Sequence, residues 1–156
     1  MYEVKDGQRT LQFSGKKLGE SSSYQRGSTR WIEFKLYRTD NGSYVLSRVG
    51  VSLVYHTAGC KLVERYGLQE QFISELSDAA LPCEECEPTL EVPYIFPEKH
   101  RYWAQVSDDA ESVLDALYKY DNNGARYLTK VAQRLLEQAS EVDQNIESIY
   151  RIELIP

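Results

Sequence analysis

The feature that most constrains this chain is the placement of its sulfur. Its three cysteines, Cys60, Cys83 and Cys86, fall into one frame with His56, one of only two histidines. The frame runs Tyr55-His56-x3-Cys60, then 21 residues, then Pro82-Cys83-x2-Cys86-x-Pro88. Three thiolates and one imidazole are the Cys3His donor set of a closed tetrahedral zinc site. His56 and Cys60 supply one pair of ligands from a strand end and the turn after it. Cys83 and Cys86 supply the other from a knuckle stiffened by Pro82 and Pro88. One structural zinc is therefore expected in the middle of the chain. Four protein ligands leave no open position for catalysis. A redox Cys-x-x-Cys pair is the competing interpretation. Glu84 and Glu85, between the sulfurs, disfavour the thiolate it would need.

Flanking patterns suggest an α+β protein. An N-terminal antiparallel β-meander leads into the central zinc-stabilised knuckle, followed by a C-terminal hairpin, two helices and a final strand. Tyr2–Val4 and Leu11–Phe13 are short strands around the turn Asp6-Gly7. Gly19 to Gly27 reads as a polar loop. Ile32, Phe34 and Leu36 alternate with Glu33 and Lys35, the period of a half-buried strand. Asp40-Asn41-Gly42 turns the chain back, and Tyr44–Arg48 and Val51–Tyr55 continue as strands.

Farther along, Leu68, Phe72, Ile73 and Leu76 predict a short helix over 68–76. Leu90–Phe96 and Arg101–Val106 predict a hairpin. Asp108-x-x-Glu111 is a capping-box signature that opens a helix to Tyr120. A second helix is expected over 126–139, and Ser148–Ile155 is expected as the last strand. The clearest boundary divides a β-rich, zinc-containing part, 1–88, from an α/β part, 89–156, packed on it as one compact domain.

The segment Val54-Tyr55-His56 … Cys60 … Ser74-Glu75-Leu76-Ser77-Asp78-Ala79 … Pro82-Cys83-Glu84-Glu85-Cys86-Glu87-Pro88 resembles the small zinc module of Ada-type metal-binding domains. In the Ada repair protein all four ligands are cysteine and one accepts a methyl group. Here His56 holds the first position, so the resemblance implies the zinc ligands alone, over about residues 54–88. A second stretch, Phe13-Ser14-Gly15-Lys16-Lys17-Leu18, Trp31 and Leu36-Tyr37-Arg38-Thr39 … Gly42-x-Tyr44-Val45, is similar to the β-region of EXLDI-type proteins. Together these resemblances imply a bacterial, phage or mobile-element accessory protein and no particular activity.

Net charge is −6, divided unevenly. Residues 1–60 carry nine Lys/Arg and five Asp/Glu, whereas 61–156 carry nine and nineteen. Such asymmetry can mark surfaces with different partners. The leading expectation is a non-catalytic, zinc-stabilised macromolecular interaction protein, such as an accessory or inhibitor protein, with a protein partner. The rival is a nucleic-acid-binding module that uses a basic aromatic face of the N-terminal sheet: Lys16, Lys17, Arg30, Trp31, Lys35 and Tyr37. An enzyme with an unrecognised site is the third class. For that, His100 lies in a charged turn, and Asp108, Asp109 and Glu111 suit a helix N-terminus better than an acid/base pair. Neither a membrane span nor a secretory leader is apparent, and unpaired cysteines suit a reducing cytoplasm.

Overall fold

The computed structural model describes residues 1–28, 30–52, 54–57, 71–72, 81–82, 94–97, 100–153 and 155–156. Two compact units interleave along the chain. One is Met1–Ser23, Ile32–Val49 and Tyr102–Pro156; the other is Tyr24–Trp31 with Gly50–Arg101. The protein is α+β, with antiparallel sheets, an N-terminal β-hairpin and C-terminal helices.

In the first unit, β1 (Tyr2–Asp6) and β2 (Arg9–Phe13) pair antiparallel around Gly7, whose positive φ of 60° suits the turn. A four-stranded sheet follows, ordered β10-β5-β4-β3, from β3 (Gly15–Ser22), β4 (Arg30–Thr39), β5 (Tyr44–Ser52) and β10 (His100–Ser107). The β4–β5 turn is closed by a hydrogen bond from Gly42 N to Thr39 O, with Gly42 at φ 87°. Gly15 has no alternative, since a Cβ there would lie 2.1 Å from the Arg38 carbonyl oxygen.

Strand alternation sorts side chains between two cores. Phe34, Leu36, Tyr44 and Leu46 face the helices. Tyr37, Val45 and Ala104 face the β1–β2 hairpin, where Val4 is buried with them and Tyr2, Leu11 and Phe13 pack against them. The register of β3 on β4 shifts between Lys17 and Gly19, and Leu18 joins the helix-side core. Among the described residues the helices are α1 (Ala110–Leu117), α2 (Lys130–Val142) and α3 (Gln144–Tyr150). Each begins at a side-chain cap. Asp109 accepts from Ser112 N, Thr129 from Ala132 N and Asp143 from Ile146 N. Val113, Leu135, Leu136 and Ile146 are fully buried against the sheet.

Both outer strands have backbone partners. On β10, Ala104 N donates to Asp6 Oδ1 at 3.3 Å and Tyr102 O accepts from Gly7 N at 2.9 Å. On β3, Glu20 N donates to Gln138 Oε1 at 2.9 Å and Ser22 O accepts from Arg134 at 2.8 Å. Paired groups of this kind blunt an edge against adding a foreign strand.

Several expectations are corrected. β3 extends to Ser22, into the stretch read as a polar loop, because Ser21 and Ser22 pair with Phe34 and Glu33. The hairpin expected over 90–106 does not form. Tyr94–Pro97 (β9) and His100–Ser107 (β10) belong to different sheets. Within the helix expected over 68–76, Gln71–Phe72 form a strand (β7) on β9. The first helix stops at Leu117, and Lys119–Tyr120 (β11) instead pairs with Arg126–Tyr127 (β12). That pairing delays the second helix to Lys130. Ser148–Tyr150, expected to open the last strand, instead end the helix Gln144–Tyr150, since Asp143 caps it and Ile146, Ile149 and Tyr150 share one helical face.

The helical layer is tied to the sheet by one carboxylate. Asp143 has a side chain 0% exposed and accepts from Arg38 Nη1 at 2.9 Å, Tyr44 Oη at 3.0 Å and Ile146 N at 3.0 Å. Burial, and then the bond to Asp143, push the Tyr44 phenol pKa up. Asp143→Ala strands Arg38 and removes a cap. Because Arg38 remains 32% exposed, the expected loss is about 3 kcal/mol, the low end for breaking a buried pair. Tyr44→Phe, which removes one hydrogen bond, is expected to cost about 1 kcal/mol. Urea midpoints at unchanged m value measure both.

Asp6 has a lowered pKa, first through its bond to the Arg9 side chain and then through Ala104 N. A depressed folded pKa adds stability above the unfolded value of 3.8, lost as pH falls through the folded value. The Ala104 amide should therefore lose protection in native-state hydrogen exchange below about pH 4. Asp6→Asn should abolish that step, and an unchanged step in the variant would assign it elsewhere.

Candidate metal frame and interaction surfaces

The second unit carries a sheet ordered β7-β9-β6-β8, with β6 (Val54–Thr57) and β8 (Leu81–Pro82) parallel neighbours. Tyr55 pairs with Pro82 across β6 and β8. His56, with Phe96 as its partner on β9, immediately follows Tyr55. Cys83 immediately follows Pro82 in the sequence. The two arms of the Cys3His frame thus leave from neighbouring strand positions, about 4.8 Å apart in a sheet. The backbone of His56 is described within β6, while Cys60, Cys83 and Cys86 lie outside the described residues. Among the described residues, no group of three or more His, Cys, Asp or Glu is placed to hold a metal. The donor set itself suits zinc, which binds thiolate and neutral imidazole tetrahedrally. Bound there, zinc would supply a cross-link and no chemistry.

Of the six residues proposed from sequence as a basic aromatic face, Lys16, Lys17, Lys35 and Tyr37 belong to the first unit and Arg30 and Trp31 to the second. Lys17 and Tyr37 are register partners, as are Glu20 and Lys35, while Lys16 lies opposite Arg38. Lys17 Nζ is 3.1 Å from Glu20. Tyr37 is only 4% exposed. Its ring lies 4.8 Å from that of Tyr2 and 5.1 Å from that of Phe13. Burial there raises its pKa, partly offset by Lys17. A ring so enclosed offers no platform to a base, which corrects its assignment as a stacking residue. The hairpin that covers it was signalled by Tyr2, Val4, Leu11 and Phe13, two short alternating runs with apolar faces of their own. Arg30 and Trp31 lie in the other unit, where Trp31 meets Tyr24 edge-on at 4.9 Å and Arg26 and Arg30 are exposed.

Under the hairpin is a groove of about 250 Å³, lined by Glu3, Lys5, Glu33, Lys35, Ser47 and Tyr102 among others. Lys5 Nζ stands 5.1 Å from the Tyr102 ring. Two acids and two lysines give this groove no preference for one sign of ligand.

The helical layer differs. It exposes Glu111 and Asp115 on α1, Glu137 and Glu141 on α2, and Glu147 on α3. Arg151 pairs with Glu141 at 2.7 Å, and Lys130 and Arg134 occupy only the first turns of α2. Asp109 is held below the usual carboxylate range by Ser112, through its side chain and then its backbone N–H. It serves as a cap, in agreement with the helix-terminal role expected for it. His100 is an exposed residue opening β10.

The β11–β12 hairpin between α1 and α2 was not expected from the sequence. Its signal is the turn run Asp121-Asn122-Asn123-Gly124 between Lys119-Tyr120 and Arg126-Tyr127. No helix among the described residues is long and apolar enough to cross a membrane. Comparison of the chain with protein-family models, curated proteins and solved structures gives no match.

Protein purified without added metal should contain close to one equivalent of zinc by elemental analysis. Cys83→Ser should remove most of it and lower the melting temperature together, since metal-binding energy in such sites is folding energy. Full-length protein that is metal-free and equally stable would discard the frame.

Proposed function

We propose that this chain is a non-catalytic, zinc-stabilised interaction protein that docks on a protein partner presenting a basic surface. The acidic helical layer carries the proposal. Glu111, Asp115, Glu137, Glu141 and Glu147 are exposed on three helices packed on one sheet, so their spacing is fixed before a partner arrives. A fixed array of one sign steers encounter with the opposite sign and suppresses wrong partners. Glu137 and Glu141 stand at i, i+4 and so on one side of α2.

Other features fit the same role. Backbone partners along β3 and β10 discourage recognition by strand addition, leaving side chains to do the binding. Zinc would act by fixing the middle of the chain. The resemblances to an Ada-type zinc module and to EXLDI-type proteins support an accessory or inhibitor protein of a phage or mobile element. In that role a fixed acidic surface competes for protein sites that otherwise hold nucleic acid.

The decisive experiment is charge reversal in the full, zinc-loaded protein. Glu137→Lys with Glu141→Lys should abolish salt-sensitive cross-linking to a partner in host extract, with the melting temperature lowered by no more than loss of the exposed Arg151–Glu141 pair accounts for. Reversing Glu3, on the hairpin side, should leave cross-linking intact. Equal capture by both variants would remove the helical layer from the interface.

A further inference from the structure

We propose that the β11–β12 hairpin is a contact element for single-stranded nucleic acid. The proposal does not rest on the protein-partner function, because the hairpin presents the opposite charge and different chemistry.

The chain invests order in this hairpin without using it for the core. Residues 119–127 are all exposed. Yet the tip is fully specified. Asp121 Oδ1 accepts from Asn123 N at 2.8 Å and Ala125 N at 2.9 Å. Asp121 N donates to Ala125 O, Gly124 N donates to Asp121 O, and Gly124 takes a positive φ of 81°. At the base, Tyr118 and Leu128 pack against the helix-side core. The result is an ordered, anchored projection rather than a slack connection between α1 and α2.

Its side chains select the occupant. Lys119 pairs with Tyr127 and Tyr120 with Arg126, so each face carries one cation beside one ring. Tyr120 is 68% exposed and Tyr127 46% exposed. Arg126 also stands 4.4 Å from the Tyr118 ring, and Lys130 follows at the start of α2. The lone acid, Asp121, is spent on the turn. A site for an apolar protein groove would present aliphatic anchors, and residues 118–127 contain none larger than Ala125. Rings with adjacent cations match the repeating demand of a single strand, in which bases stack and phosphates need counter-charge. A duplex keeps its bases stacked inside and would use only the cations.

The test is fluorescence anisotropy with the full, zinc-loaded chain and a labelled oligothymidylate of about twenty nucleotides. The buffer contains about 50 mM salt. A blunt duplex of equal length and polyglutamate serve as competitors. The single strand should bind, and neither competitor should displace it at equal concentration. Tyr120→Ala with Tyr127→Ala should weaken binding at least tenfold, at an unchanged melting temperature. Lys119→Gln with Arg126→Gln should reduce the salt slope by about 1.4, two phosphate contacts' worth. Absence of binding, equal competition by duplex or polyglutamate, or full affinity in the tyrosine variant would overturn the proposal. So would loss of binding confined to Trp31→Ala, which would move the contact to the β3–β4 loop.

Discussion

The buried Asp143 carboxylate is the junction on which the first unit depends. It ends α2, with its own N–H donating to Ala139 O, and begins α3 by accepting from Ile146 N. From the sheet it takes Arg38 on β4 and Tyr44 on β5. A carboxylate withdrawn from water costs several kcal/mol unless paired and hydrogen-bonded on its remaining lone pairs. Three donors meet that requirement here, and they come from three elements. The angle between α2 and α3 is therefore set by a polar demand as well as by apolar packing. Ile146, the fully buried residue of α3, reaches the core because of that angle.

Edge treatment limits how such a fold can bind. A sheet with bare outer strands invites pairing with another chain. Here α2 lends Gln138 and Arg134 to β3, and the β1–β2 turn lends Asp6 and Gly7 to β10. The Cβ that Gly19 lacks would lie 3.0 Å from Gln138 Cβ and 3.2 Å from Leu135 O, so its absence permits the close seating of α2 on β3. The hairpin then spends its apolar face on Tyr37 and Val45. Among the described residues of the first unit, the outer surface of the helices and the projecting β11–β12 hairpin stay open for recognition.

The legible parts of the sequence were those fixed by neighbours in the chain. Alternation gave β1, β2, β4 and β5, and Asp6-Gly7 and Asn41-Gly42 marked their turns. The Cys3His frame is an expectation from residue type, and its three cysteines lie outside the described residues. Long-range choices were not legible. Tyr94–Pro97 and His100–Ser107 have strand chemistry and a short connection, yet pair with strands far away in sequence, β6 and β5. Tyr37 alternates like a solvent-facing residue, and only the docking of Tyr2 and Phe13 buries it. Ile149 through Ile155 is apolar enough for a strand. The capping of Asp143 and the i, i+3, i+4 spacing from Ile146 decide for helix.

The uneven charge of the chain takes on a different meaning once folded. The first unit draws on Met1–Ser23 and Ile32–Val49 as well as on Tyr102–Pro156, so the basic and acidic halves do not become separate bodies. Among the described residues, acids are exposed on all three helices, while Lys119, Arg126 and Lys130 gather at the hairpin between the first two. Exposed charges are screened within about 8 Å at physiological salt. Over such distances the local inventory outweighs the net charge of −6. A chain that repels polyanions at long range can therefore still hold a strand at a projecting tip whose single carboxylate is committed to its own turn. Rings and cations bind at contact distance, where the helix carboxylates farther along the fold have little influence.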